Sequence, residues 1–373
     1  MMDTRKEKIS MVRPSPVGPE SIIRPEILAV KAYPVQHAEG LVKLDAMENP
    51  YGLPPRLRQE IAEAVRDAEL NRYPDPEAPR LKGRLRKVMG IPPGCDILLG
   101  NGSDEIIAMV IHAVATVDAV IMSPAPTFVM YGMSSLIAGA QYVPVAIRSD
   151  FALDAERMVE AMAEHRPAVV FISYPNNPTG NLFSDDSIVQ VIENAPGLVV
   201  IDEAYQTFAR RSFMSRLEEF PNLMVMRTLS KLGLAGLRLG YAAAGPGWIR
   251  EFDKIRAPYN VGVLPQTVAE KVLEHHGVLE EQAAAVVAER KRVAIALAGL
   301  PGVQPYPSEA NFILARVQDA PRVFEGLRSR GVLIRTLHGS HPLLEQCVRF
   351  TIGTPQENDT MLAALRDTLA GKP

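Results

Sequence analysis

Cysteine is scarce in this chain. Its 373 residues hold two, Cys95 and Cys347, far apart and outside any CxxC pair. That spacing gives neither a disulfide framework nor a zinc ribbon and suits a reducing cytoplasm. No apolar run approaches the roughly 18 residues that a bilayer crossing needs. The opening stretch, MMDTRKEKISMVRPSPVGPE, is charged and then proline-rich, without the apolar centre of a secretory signal. A basic excess is missing too: the net charge is −3 with the seven histidines neutral, which gives no reason to expect a nucleic-acid partner. Internal repeats, low-complexity tracts and metal-ligand spacings are likewise absent.

What is there is ordinary globular composition, 47% apolar and 22% charged. The length exceeds one typical core, so a large domain with a second, smaller one is expected. Many of the 31 prolines fall in connections such as NPYGLPP and RYPDPEAP. RLRQEIAEAVRDAEL (56–70) sets Leu57, Ile61, Val65 and Ala68 on one helical face. DILLG (96–100) reads as a strand running into SDEIIAMVIHAVA, with Ser103 or Asp104 as helix cap. AVIMSPAPTF, QYVPVAI, AVVFISYPNNPTG, GLVVIDEAY and LMVMRTLSK are short apolar strands that each run into a polar loop. Strands apolar on both faces and alternating with helices imply a parallel sheet covered on both sides. After about residue 265 the texture changes to a long helical segment (280–300), then NFILARV, VLIRTL and QCVRFTIG. That is a smaller α+β unit, with a boundary expected within 258–285.

In parallel sheets ligands bind beyond the carboxyl ends of the strands. The residues there are the GNGSDE turn, Phe128, Asn177, Asp202 with Tyr205, and Lys231 and Arg238 within TLSKLGLAGLRLGY. Each alone has a plain structural reading: a tight turn, a core aromatic, a helix cap, a solvated cation. As a dinucleotide fingerprint GNGSDE fails, because Glu105 stands where the third glycine belongs. As a set the residues say more. A helix N-terminus binds phosphate, an aromatic face stacks on a ring, an aspartate keeps a pyridinium protonated, and a desolvated lysine forms an imine with an aldehyde. Those are the needs of pyridoxal phosphate.

At this point the sequence resembles the fold type I pyridoxal-phosphate (PLP)-dependent aminotransferases, and within them the histidinol-phosphate branch. RPEILAVKAYPV, MENPYG, NRYPDP, LLGNGSDEII, PTFVMY, YPNNPTG, VVIDEAYQTF, RTLSKLGLAGLRLGY, SEANFILAR and CVRFTIGTPQEN carry the likeness over nearly the whole chain. The resemblance implies an N-terminal arm over 1–40. It also implies a large PLP-binding domain over 41–270, with a mostly parallel seven-stranded sheet flanked by helices, and a small α+β C-terminal domain over 271–373.

It implies roles as well. Lys231 would carry the cofactor and shuttle a proton, and Asp202 would pair with the ring nitrogen. Asn177 and Tyr205 would bond the ring oxygen. Phe128 would stack on the ring without the hydroxyl of the family's more usual tyrosine. Gly102, Ser103, Asp104, Thr228, Ser230 and Arg238 would hold the phosphate, with Tyr73 reaching it from the neighbouring subunit of a homodimer with shared sites. Substrate would meet Tyr33, Asn177, Arg335 and Arg349. The residue after Arg335 is Thr336 where the family usually has aspartate, and Asn311 would lie near the substrate arginine. Alternation in VRFTI sets Arg349 on the face opposite Val348, Phe350 and Ile352. The implied reaction is ping-pong transfer of an amino group between histidinol phosphate and 2-oxoglutarate, giving imidazole-acetol phosphate and glutamate in histidine biosynthesis. Three competing readings are an aromatic amino-acid aminotransferase or threonine-phosphate decarboxylase on the same fold, a nicotinamide-dependent oxidoreductase, and a non-catalytic ligand sensor.

Overall fold

A computed structural model describes residues 18–32 and 36–371. Tyr33, expected near the substrate, lies outside the described residues. Among the described residues, those up to His37 belong to a unit of their own, in which Pro19–Ser21 and Pro25–Leu28 are short helical turns. The chain from Ala38 onward is a second unit.

The second unit begins with a two-residue strand, β1 (Val42–Lys43). Its large sheet holds β2 (Asp96–Gly100), β3 (Val120–Ala125), β4 (Gln141–Ala146), β5 (Val169–Ser173), β6 (Leu198–Asp202), β7 (Leu223–Thr228) and β8 (Gly240–Ala244). Their spatial order is β2-β8-β7-β6-β5-β3-β4. Neighbours from β7 to β4 are parallel, and β8 runs antiparallel to both its partners. Six of the seven strands follow the apolar runs read from the sequence. β8 does not: Gly-Tyr-Ala-Ala-Ala has little side chain to signal a strand. It is a strand because it fills the slot between β2 and β7, where Ala242 and Ala244 let the helices Ser103–Val114 and Pro246–Asp253 pack close on one face.

The period-2 pattern sorts these strands onto two cores. Val169, Phe171, Leu198, Val200, Met224 and Met226 face one. Val170, Ile172, Val199, Ile201, Leu223 and Val225 face the other. Each such fully buried side chain contributes roughly 1.5–3 kcal/mol. The alternation also decides function at the strand ends. Asp202 continues the first face, while Glu203 and Arg227 continue the second. There Arg227 Nη2 meets Glu203 Oε2 at 2.8 Å, joining the ends of β6 and β7 from behind.

The smaller sheet combines β9 (Val303–Pro305), β10 (Phe312–Val317), β12 (Arg335–Thr336) and β13 (Cys347–Thr351), all antiparallel, in the order β12-β13-β10-β9. Val348, Phe350 and Ile352 pack into the core beneath the helices His276–Ala298 and Pro355–Leu369, and Arg349 is turned to the other face. β1 pairs in parallel with β11 (Val332–Leu333), and Leu44 continues the ladder by donating to the Leu333 carbonyl at 2.8 Å. The next residues, 45–47, are thereby launched over the carboxyl ends of the large sheet.

Candidate active site

The helix Ser103–Val114 starts directly after β2, and its N-cap is Gly102, with no side chain closing the first turn. The expectation that Ser103 or Asp104 caps this helix is therefore corrected: both lie inside the first turn, and its N–H groups are left for another acceptor. Gly102 sits at φ +83°, and a Cβ there would stand 2.7 Å from Arg238 Nη2. Gly240 is as constrained, its would-be Cβ 2.6 Å from the Ser103 nitrogen. Backbone and guanidinium thus approach as only glycine allows. Arg238 donates to Ser230 Oγ at 3.3 Å and to Asp104 Oδ2 at 3.3 Å, and Thr228 Oγ1 donates to Ser230 Oγ at 3.0 Å. Two hydroxyls, a guanidinium and a helix N-terminus converge, the donor set of a phosphate cradle.

Beyond it lies one cavity. Ser103, Asp104, Phe128, Asn177, Asp202, Tyr205, Thr228, Ser230, Lys231 and Arg238 all line it, ten of the residues expected to serve one site. Met47, Ser173 and Ala204 complete the wall. A larger cavity of about 600 Å³ opens behind β6 and β7, around the Glu203–Arg227 pair. We assign the chemistry to the smaller one, because there the titratable groups face a common space.

Asp202 is buried, and its carboxylate accepts the Ala204 N–H at 3.1 Å and the Tyr131 hydroxyl at 2.8 Å. Burial pushes its carboxyl up to about 6, against the pull of those two donors. Lys231 follows β7 in a π-type turn, Ser230–Leu234, that bends at Gly233 with φ +124°. Its amine donates to the Ala46 carbonyl at 3.0 Å. Burial, and then the nearby Arg349 cation, lower its pKa to about 8. A lysine so placed is partly neutral near pH 7, the condition for nucleophilic attack on an aldehyde.

Arg349 projects from β13 over the Phe312 ring, 5.2 Å from its centroid, and donates to Asn177 Oδ1 at 2.6 Å and the Asp45 carbonyl at 3.0 Å. Arg335 is its cross-strand partner in the β12–β13 register, so both side chains leave the sheet on one face. Asn311 donates to the Met47 carbonyl at 2.9 Å. Three successive carbonyls, of Asp45, Ala46 and Met47, are therefore held by Arg349, Lys231 and Asn311. Met47 adopts φ +54°, fixed further by its N–H donating to Thr351 Oγ1 at 3.0 Å. Its thioether sits 3.1 Å from the Tyr205 hydroxyl.

Tyr73 lies elsewhere. It is 79% exposed and stacked on Tyr259, ring centroids 4.4 Å apart. Two features escape sequence reasoning. One is the 45–47 strap, held in place chiefly through its backbone carbonyls. The other is Tyr131, although its spacing of three from Phe128 at a helix start was a usable signal.

Comparison with known proteins gives a consistent picture. The family model described as aminotransferase class I and II matches residues 39–365. The chain is similar to a Cupriavidus pinatubonensis protein named histidinol-phosphate aminotransferase 2, with 52% identity over 366 residues, 97% of this chain and 100% of that one. A Chromobacterium violaceum protein named histidinol-phosphate aminotransferase is 51% identical across 93% of this chain and 98% of its own. Among solved structures, the Sinorhizobium meliloti histidinol-phosphate aminotransferase in complex with pyridoxal-5'-phosphate matches with a TM-score of 0.84 and 26% identity, covering 94% of this chain and 98% of that one.

Proposed function

This chain belongs to the class I and II aminotransferases, and we propose that within them it transfers an amino group between histidinol phosphate and 2-oxoglutarate in histidine biosynthesis. Its cofactor is pyridoxal 5'-phosphate. The residues fit that group: an uncapped helix N-terminus beside Arg238 and two hydroxyls for the phosphate, a buried carboxylate for the ring nitrogen, and a lysine of lowered pKa for the aldehyde.

When bound, the cofactor supplies an electron sink that makes the substrate's Cα–H acidic. The chain supplies the rest. Asp202 would meet the ring nitrogen with its negative charge, Phe128 would cover one ring face, and Asn177 and Tyr205 would bond the ring oxygen. Lys231 would hold the aldehyde, and its amine, when free, would be the base that takes and returns the substrate's proton. A pKa near 8 suits both directions of that transfer.

The observation that carries the substrate assignment is the Arg335–Arg349 pair on one sheet face. Two arginines leaving one sheet face from paired positions suit a dianion, and a guanidinium offers the same fork to phosphate and carboxylate. One site can so accept a phosphate ester in one half-reaction and a dicarboxylate in the other. A holoenzyme assay with 2-oxoglutarate tests this. We expect histidinol phosphate to exceed phenylalanine in kcat/KM by about 100-fold, the worth of roughly 3 kcal/mol in charge-assisted bonds. Equal rates, or carbon dioxide release from threonine phosphate, overturn the assignment in favour of the other enzymes on this fold.

The enzyme works as a homodimer in the cytoplasm. Supporting the dimer, the stacked Tyr73 and Tyr259 are both exposed, apolar rings that a second copy would cover. Supporting the location, both cysteines are free thiols and no helix among the described residues is long and apolar enough to cross a membrane.

A further inference from the structure

We propose that Tyr131 is a positioning residue for the reaction, aiming the Asp202 carboxylate at the cofactor's ring nitrogen and holding it ionised. The inference rests on the cofactor reading above and adds a residue to it. Asp202 is buried, and among its described contacts the two that hold the carboxylate are both neutral donors: the Ala204 N–H on Oδ1 and the Tyr131 hydroxyl on Oδ2. A buried carboxylate without a close cation tends toward its protonated form, and a hydrogen bond to the ionised form opposes this. The charged neighbours do not replace that bond. Asp104, from the helix after β2, and Glu203, next in the chain, both push Asp202 toward protonation. Lys231 and Arg238 line the same cavity from the β7–β8 connection, held to the Ala46 carbonyl and to Ser230 and Asp104.

Tyr131 is itself rigidly placed. Its ring is fully buried, stacked on Phe171 at 4.8 Å with 10° between planes, and edge-on to Phe128 at 5.7 Å. Phe128 is the ring platform of the cavity. One tyrosine therefore ties the surface that stacks on the cofactor to the carboxylate that meets its nitrogen. The helix Met130–Ala138 sets this geometry by starting just after Phe128, so that residues 128 and 131 lie one turn apart. The neighbouring Tyr142 hydroxyl bonds Ser123 at 2.6 Å and leaves Asp202 to Tyr131.

The test is Tyr131→Phe in the full chain, which removes one oxygen and keeps the ring. Losing a donor to the charged form raises the carboxyl pKa, so the acid limb of the kcat profile should move up by about one pH unit. At pH 6 the affinity of the apo chain for pyridoxal phosphate, read by equilibrium dialysis, should fall about tenfold. KM for the amino donor should change less than about twofold, because the donor touches neither group. In an Asp202→Asn background the same substitution should have no further effect on affinity, a coupling that a merely structural role does not produce. As a control, Phe171→Leu disturbs the ring stack but leaves the hydroxyl, and should lower Tm without moving the acid limb. A wild-type chain that takes up no pyridoxal phosphate overturns the cofactor reading and this inference together. A wild type that binds it, beside a Tyr131→Phe variant with unmoved acid limb and affinity, overturns the inference alone.

Discussion

Replacing Lys231 with methionine should make the apo protein more stable while abolishing its imine with the cofactor. The reasoning starts from the lysine's lowered pKa of about 8, against an ordinary value of 10.5. Between those pH values the folded chain binds fewer protons than the unfolded chain, so wild-type stability rises with pH across that window. Below pH 8 the cost of enclosing the charge is fully present. A shift from 10.5 to 8 corresponds to about 3 kcal/mol at about 1.4 kcal/mol per unit. Methionine removes that cost and is close to lysine in length, but it forfeits the 3.0 Å bond to the Ala46 carbonyl, worth about 1 kcal/mol. The net gain is about 2 kcal/mol at pH 7, falling to about 1 kcal/mol at pH 9 as the wild-type amine deprotonates. Matched urea curves of the two apo chains at both pH values measure it. A Lys231→Met chain less stable than wild type at pH 7, or a gain equal at pH 7 and pH 9, would refute the reasoning. The expected outcome is a catalytic group held at the expense of stability.

Two further outcomes follow from other parts of the molecule. Glu203→Gln keeps the shape of the buried pair, yet either amide orientation sets an NH₂ against a donor. Glu203 Oε1 accepts the Phe213 N–H at 2.6 Å, and Oε2 accepts Arg227 Nε at 2.9 Å and the Ser212 hydroxyl at 2.8 Å. The expected loss is about 3–5 kcal/mol in denaturant unfolding, with at least half regained when Glu203 and Arg227 are both made methionine. A loss under about 0.5 kcal/mol would show that the pair carries no such load. For the dimer, Tyr73→Ala and Lys231→Ala chains should each be poorly active, and refolding them together should restore activity as mixed dimers regain one complete site. No gain on mixing would place Tyr73 outside the partner's site.

Much of the fold was legible because the strands of a covered parallel sheet are apolar on both faces, a pattern that does not depend on distant residues. The same economy exposed the site: a polar residue at or just beyond the end of such a run has few structural duties, so Asn177, Asp202 and Lys231 stood out. Motif spacing then tied them to a cofactor. Other features were decided only in three dimensions. β8 is a strand because of the slot it fills, and its alanines announce nothing by themselves. The 45–47 strap is held chiefly through carbonyls that every residue possesses, so no side chain marks it; its place comes from β1 pairing with β11, almost 300 residues away in the chain. The phosphate turn is uncapped because Gly102, and not the serine or aspartate after it, is where the helix begins. Tyr131 became a functional residue through a 2.8 Å contact with Asp202 across 71 positions. Local pattern encodes which face a residue shows, but which residue it meets there depends on packing between elements that the order of amino acids does not bring together.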